Sequence, residues 1–498
     1  MRNWSHMPGS TSPTVRTLVR SGKAPHHVVS HEGSLARNGW GVFGANVGNL
    51  LFTNSVFRAV NVRGASTVSD SLLTELPGNG EADAHIERIN GEFDRYVIPL
   101  ANAFRPEFEG SLRRLTRAVE RMTIPTVVAG VGVQNIERVD GRFTAGESVD
   151  QAARAFVRAV LEKSASIGVR GRRTANYLEA LGFPTDVVDI IGCPSLNMEL
   201  APEQIASPAD VTPESPLAIN ITPSASRMGE IVETNVARYR DLVYIPQEAH
   251  ELALMMWGEP IAYRDARLPL YPSHPLYREG QVRFFVDPEP WTAFLRERQF
   301  AFGTRIHGTI AALAAGTPAM LLSHDARTLE LAEYHCIPFQ LVGEAASVDA
   351  ADLAATVDFT GFNAFRAEAS SRFASFLAGM MCPTSSNRVR RMTSTTSFSR
   401  ARPTRLPCFR SARRTSTRPP FSSIAFAGCD KALRLTRRGG AGVHPALQAP
   451  GSGRCRTWPR GRTPIRADED RRSRATGQQP QAVARAMKRG CVTLAAGV

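Results

Sequence analysis

Phe300–Pro338 reads FAFGTRIHGTIAALAAGTPAMLLSHDARTLELAEYHCIP, and the order of its segments decides the fold. An apolar run ends at Gly303, and Thr304-Arg305-Ile306-His307-Gly308 follow as a tight polar turn. Thr309–Ala315 have helical composition, stopped by Gly316 with Pro318 close behind. Ala319–Leu322 predict a second buried strand and Ala326–Tyr334 a second helix, with Asp325 placed to cap it. Strand, helix, strand, helix implies a parallel sheet, whose ligands bind beyond the carboxyl ends of its strands. Arg305, His307 and the first amides of the helix fall at such an end. A fixed cation, a titratable ring and a positive helix terminus directed at one place suit an anion that gains or loses a proton.

The pattern repeats on both sides. Toward the amino terminus, Leu50–Val60 is helical in spacing. Ile124–Ala129 is a buried strand, Val149–Lys163 an amphipathic helix and Ala165–Val169 a strand. Arg170-Gly171-Arg172-Arg173-Thr174 then lead into a helix ending near Leu181, and a strand over Asp186–Ile191 ends at Gly192-Cys193-Pro194-Ser195. Residues 66–97 read as mixed loop and helix, and Phe104–Met122 as a helix. The Pro/Ala/Ser-rich Ala201–Pro216 marks a boundary. Beyond it, strands are expected over Leu217–Ile221, Asp241–Pro246 and Val282–Val286, with helices over Glu248–Trp257 and Pro288–Glu297. Tyr263, Tyr271, Tyr277 and His274 lie in a polar, proline-containing stretch; it reads either as a loop over the site or as a surface loop with buried tyrosines. The fold class expected is α/β with two facing Rossmann-like domains. The divisions are a loose arm over 1–24, a first domain over 25–205, a second over 206–361 and a last amphipathic helix over 362–381.

Composition separates residues 382–498 from the rest. They hold 25 Lys+Arg against 4 Asp+Glu, whereas residues 1–381 hold 35 against 42. The net charge of +14 therefore belongs to the tail, and the basicity is no argument for a nucleic-acid partner of the folded part. Five of seven cysteines also lie there. A disordered C-terminal tail is expected. Three readings stay open: an anion-binding tail, a plain extension, and a shifted frame of GC-rich coding DNA, which the patternless Arg, Pro, Ala, Gly and Ser favour. Two cysteines in 381 residues fit a reducing compartment. No run approaches the ~20 apolar residues of a membrane span. The expected location is cytoplasmic, at most against the inner membrane face. The spacing of His324, His335 and Cys336 fits no metal site.

Arg305-Ile306-His307-Gly308-Thr309 with the following helix and HDARTLELAEYHCIP resembles the signature of the polysaccharide pyruvyl transferase family. VRGRRTANYLEALGF with IIGCPSL is similar to a second piece of that signature. The resemblance covers about three quarters of the chain. It implies a GT-B-like pair of domains, with transfer of a pyruvyl group from phosphoenolpyruvate to sugar hydroxyls as a ketal. It also implies phosphoenolpyruvate as co-substrate without another cofactor, and an acceptor on a surface polysaccharide or a lipid-linked or nucleotide-linked precursor. Carried over residue by residue, His307 is the acid and Arg305 and Arg170 are the clamps. Gly308, Thr309 and Ser195 fall on motif positions. Asn46 and Asn49, in a Gly-rich loop opening a helix, fall near the family's Asn-x-Gly-Asp/Asn loop; an anion cradle and a packing turn fit that loop equally. A GT-B glycosyltransferase using a nucleotide sugar is the alternative, because an Arg/His pair also serves a diphosphate leaving group.

Overall fold

A computed structural model describes residues 15–36, 46–62, 65–75, 80–134, 136–139, 142–197, 204–262, 265–345 and 347–381. The tail after 381, the 1–14 segment, the Trp40–Ala45 part of the Gly-rich loop and Tyr263 lie outside the described residues.

Val15–Val19 form β1, a short run whose last three residues are buried. This corrects the loose arm expected over 1–24: β1 pairs on both sides, with β2 (Ala65–Ser69) and β3 (Arg95–Pro99), at the middle of a parallel sheet. A five-residue strand offers too short a window for its period to stand out in a polar flank. The helices α1 (His31–Ala36) and α2 (Gly48–Val60) lie between β1 and β2. The ambiguous 66–97 region resolves into β2, a 3₁₀ turn at Leu73–Glu75, α3 (Gly80–Glu92) and β3. A second 3₁₀ turn at Pro106–Phe108 precedes α4 (Glu109–Arg121), so the Phe104–Met122 helix starts five residues later than expected. Pro106 imposes this, because the residue before a proline is driven out of the helical region; Arg105 is extended at φ −157°.

β4 (Thr126–Ala129) completes the order β2-β1-β3-β4. A small antiparallel pair, β5 (Glu137–Val139) and β6 (Arg142–Thr144), precedes α5 (Glu147–Lys163). β7 (Ile167–Val169) and β8 (Val188–Ile190) pair with each other on either side of α6 (Arg172–Ala180). They extend the first sheet, since the Gly130 and Val131 amides donate to Gly168 O and Arg170 N donates to Val131 O.

The second sheet runs β10-β9-β11-β12-β13, all parallel. Its strands are β9 (Leu217–Asn220), β10 (Leu242–Tyr244), β11 (Phe300–Gly303), β12 (Ala319–Ser323) and β13 (Phe339–Leu341). Its helices are α7 (Met228–Arg238), α8 (Ala249–Trp257), α9 (Pro275–Arg278), α10 (Pro288–Leu295), α11 (Ile306–Ala315), α12 (Ala326–His335) and α13 (Ala350–Ala355). The expected strand over Val282–Val286 is not one: Val282 makes a single bridge to Tyr244 and the chain then turns into α10. Tyr271 and Tyr277 pack against the core of this half, and buried His274 caps α9 by accepting from Leu276 N at 3.3 Å. Here the stretch is a packed surface loop.

The last helix, α14 (Thr360–Met381), leaves the second half and packs on the first. Phe373, Phe376, Leu377 and Met380 share a core with Val19, Val56, Phe57, Val97 and Ile191. Full burial of side chains of this size contributes roughly 1.5–3 kcal/mol each, which fixes the crossing. No helix among the described residues is long and apolar enough to cross a membrane.

Candidate active site

The carboxyl ends of β9 and β11 build one side. Gly303 ends β11 at φ +142°, with Asn220 O only 2.0 Å from where a Cβ would stand, so no side chain fits there. Asn220 Oδ1 accepts from Arg305 N at 2.6 Å and sets the entry to α11. The helix begins at Ile306, three residues earlier than expected, so His307 and Gly308 sit in its first turn and not in a loop before it. A Cβ on Gly308 would lie 2.7 Å from the Asn220 amide, which explains a glycine there sterically. Thr309 is fully buried, and its Oγ1 has no partner among the described residues.

Arg305 lies deep. Its Nε donates to Ile221 O, its Nη1 pairs with Glu248, and its Nη2 is 3.9 Å from Glu251. Burial alone would raise the Glu248 pKa, but the Arg305 guanidinium prevails and holds it below the usual carboxylate range. Residues from the first half meet this face. Val47 N donates to Gln247 O at 2.8 Å, and Asn46 bridges Glu248. Asn46 Oδ1 accepts from Gly48 N at 2.8 Å, and a Cβ on Gly48 would lie 2.6 Å from the His307 ring. The Asn46 loop is thus the wall behind the histidine. Asn49 lies one step on, at the rim of a cleft in the first half.

Arg170, at the end of β7, is 3% exposed. Its Nε donates to Glu330 Oε2 at 2.7 Å and its Nη1 to Asn102 Oδ1 at 3.3 Å, while Nη2 is held by Val133 O. Glu330, on α12 of the other half, also accepts from Thr174 N at 2.7 Å and Thr174 Oγ1 at 3.1 Å. Gly171 lets α12 approach, because a Cβ there would stand 2.4 Å from Glu330 Cγ. Arg170 therefore joins the halves through a buried ion pair.

The Gly192–Ser195 motif does similar work. Cys193 N donates to His335 Nε2 at 2.8 Å, and Gly192 (φ +70°) touches the rings of Tyr334 and His335. Ser195 is fully buried, with its Oγ 3.3 Å from Cys193 Sγ, and its turn, Pro194–Asn197, packs against α2 and α11, the helices that carry Asn49 and His307. Burial holds His335 near pKa 3 against an ordinary 6.5. Its contribution to stability is complete above pH 6.5 and is lost as pH falls toward 3, because over that window the unfolded chain takes up a proton the native chain refuses. The expected slope is about 1.4 kcal/mol per pH unit. Denaturant midpoints between pH 7 and pH 5 should therefore fall more steeply for the natural protein than for His335→Gln; parallel profiles would contradict this.

Two cations that sequence reasoning did not place at the centre complete the site. Arg105, extended before Pro106, and Arg327, in the first turn of α12, come from opposite halves. Each is close enough to the other cations to matter. After burial, the field of Arg327 and then that of Arg170 push the Arg105 pKa down, with Glu107 opposing. The Nε–H groups of both Arg105 and Arg327 are buried without an acceptor among the described residues. The Arg327 fork reaches Asp325 at 3.3 Å, and Arg105 lies 3.9 Å from Glu107. A buried donor left unmet costs about 1–3 kcal/mol, so an anion accepting from both would bind with that relief. In the sequence Arg327 is marked only by its place two residues after the capping Asp325. For Arg105 the available signal was an Arg-Pro pair just past an apolar strand.

His307 lies in the field of Arg327. Burial first, then the Arg327 and Arg170 charges, hold its ring near pKa 3. A position in the first turn of a helix also lowers a histidine pKa, but the leading cause here is desolvation. The ring is neutral at neutral pH, and a bound dianion would reverse the sign of the local field. Among the described residues no group of three or more His, Cys, Asp or Glu could hold a metal ion.

Two parallel α/β sheets, bridged by a buried ion pair, with arginines and a neutral histidine where their strands end, define a two-domain α/β protein with a cationic seam. Residues 102–326, just under half of the chain, match the family model described as polysaccharide pyruvyl transferase, so the resemblance read in the sequence is borne out. No curated protein matches the chain. Solved structures similar to it include UDP-GlcNAc 2-epimerase from Neisseria meningitidis bound to UDP-GlcNAc, at 9% identity and TM-score 0.38, covering 74% of this chain and 99% of that one. Another is Anabaena Alr3699/HepE in complex with UDP and glucose, at 12% identity and TM-score 0.35, covering 76% and 99%. The fold assignment rests on the sheets themselves.

Proposed function

We propose that this protein transfers a pyruvyl group from phosphoenolpyruvate to two hydroxyls of a sugar in a surface polysaccharide or its precursor. The observation that carries the reading is the buried, neutral His307 ring in the field of Arg327 and Arg170, together with the buried Nε–H groups of Arg327 and Arg105 that have no acceptor among the described residues. Phosphoenolpyruvate brings a phosphate and a carboxylate to such a seam, and arginine forks match both. Arg105 and Arg327 take the anionic groups. Arg170 and Arg305, already held by Glu330 and by Glu248, position the walls and supply field.

The bound dianion raises the His307 pKa, and the imidazolium gives its proton to the terminal methylene. The central carbon becomes oxocarbenium-like. One sugar hydroxyl adds to it, and its proton returns to the imidazole. The second hydroxyl displaces phosphate, closing the ketal, and its proton leaves with the phosphate. In this scheme no cofactor beyond phosphoenolpyruvate is needed, and the reaction takes place in the cytoplasm, where phosphoenolpyruvate and nucleotide-linked sugar precursors are found.

Incubation with isotope-labelled phosphoenolpyruvate and candidate acceptors should add one labelled pyruvyl ketal, read by mass, with release of inorganic phosphate. A thermal-shift panel separates this reading from a glycosyltransferase: phosphoenolpyruvate alone should raise the melting temperature. A response confined to nucleotide sugars would overturn the proposal.

A further inference from the structure

The chain leaves β12 through His324 and Asp325, beside the end of β11 and ahead of α12. The transfer described above gives this histidine no task, yet its side chain is only 12% exposed, and Nδ1 is buried without a partner among the described residues. His274 and His335 differ in this respect. His274 uses both ring nitrogens, on Leu276 N and on Arg267 O, and His335 Nε2 accepts from Cys193 N.

The acceptors near the His324 ring belong to its other nitrogen. Nε2 stands 3.6 Å from Asp325 Oδ2, and the Thr304 carbonyl also takes a hydrogen bond from the ring. Since Nδ1 bonds nothing, these acceptors draw the proton to Nε2 and leave the lone pair on Nδ1. Such a lone pair is unmet like the arginine N–H groups of the seam, but with opposite polarity. It calls for a donor such as a hydroxyl, where they call for an anion.

Asp325 couples the ring to the seam. Its Oδ1 accepts from Thr328 N and caps α12, while Arg327 Nη2 reaches the same Oδ2 at 3.3 Å. The charged groups whose fields reach the ring are Asp325 and Arg327 of α12 and Arg305 at the entry to α11. Burial lowers the ring pKa most, Asp325 opposes, and Arg327 and Arg305 lower it further. The free ring is thus neutral at neutral pH, beside the fork to which the transfer scheme assigns an anionic group of phosphoenolpyruvate. The 3.6 Å gap to Asp325 is too long for a hydrogen bond, and contacts of this kind shorten when substrate binds.

We propose that His324 is the base for closure of the ketal, its Nδ1 taking the proton of the second acceptor hydroxyl while Asp325 holds Nε2–H. The assignment rests on the pyruvyl-transfer reading. As the hydroxyl oxygen bonds to the central carbon, the bond from that carbon to the phosphate oxygen breaks, and its electron pair leaves on the phosphate. The proton passes to Nδ1 and from there to the departing phosphate on the Arg327 fork, so the ring ends neutral. A base oriented by a carboxylate is the usual device for activating a hydroxyl.

Two experiments on the full chain test this. In histidine ¹⁵N NMR at pH 7, the ring signals lost in His324→Gln should be those of a neutral Nε2–H tautomer; an Nδ1–H tautomer or an imidazolium overturns the assignment. Phosphoenolpyruvate is then offered with the methyl α-glycosides of glucose, galactose and mannose, and ketal is read by mass. The kcat of the natural protein should fall as pH drops through the ring pKa, because the neutral form is the base. In His324→Gln kcat should be lower by about 10²–10⁴-fold, with that acid limb absent and the phosphoenolpyruvate thermal shift intact. Asp325→Asn keeps a capping side chain and takes the carboxylate from the imidazolium, so its acid limb should move to lower pH, which a purely structural role would not produce. Ketal formation unchanged in His324→Gln, or an acid limb left in place by both variants, overturns the assignment and leaves the transfer reading intact. No ketal from the natural protein would remove the transfer reading itself, and the closure step with it.

Discussion

Glu330→Ala is expected to lower the stability of the folded protein by about 3–5 kcal/mol, the range for stripping one partner from a buried ion pair. Both members are almost wholly inaccessible, with side chains 4% and 2% exposed. Removal of the carboxylate would strand the Arg170 charge and leave the Thr174 amide without its acceptor. The Val133 carbonyl and the Asn102 amide, the remaining partners of Arg170, are neutral and cannot replace it. Guanidinium midpoints would measure the loss. The double variant Arg170→Met/Glu330→Leu, which replaces charge by apolar volume, should recover most of it. A loss below about 1 kcal/mol, the range of an exposed pair, would mean that water reaches this seam and that the pair does not hold the halves together.

His307→Gln should lower kcat by about 10²–10⁴-fold, the usual contribution of a positioned acid. The phosphoenolpyruvate thermal shift should survive, because the proposed mechanism gives the anion to the forks of Arg105 and Arg327. The pH profile gives a second readout. The acid form of the ring is the active one, so kcat should fall as pH rises through the bound-state pKa, and that limb should be missing from the residual rate of the glutamine variant. An unchanged kcat with intact binding would remove His307 from the chemistry. In that case the low pKa would report only a packed ring against Gly48.

The βαβα segment at the end of the second sheet was legible because its signals are local. Gly316 does end α11 in the left-handed region, and Asp325 does cap α12 by accepting from Thr328 N at 2.7 Å. The helix α14 was legible from an amphipathic period long enough to read, whereas its crossing to the first half is shown only by its packing. Short elements escaped: β1 has five residues in a polar flank, and Val282 has one bridge in place of a strand. Periodicity records that a face is buried, and over so few residues it records little.

By itself the sequence determined the alternation of strands and helices, the placement of Arg305 and His307 where a parallel strand gives way to a helix, and the family pattern around them. Tertiary structure alone decided what each charge does. Arg170 and Glu330 are 160 residues apart in the chain, and no spacing rule couples them. Once paired, Arg170 is held by its partner. In the proposed mechanism the clamp role falls instead to Arg105 and Arg327, which come from opposite halves and have Nε–H groups without acceptors among the described residues. The reason is physical: local sequence sets the conformation of a segment, whereas the protonation and the availability of an ionic group depend on which groups from the distant chain share its low-dielectric surroundings.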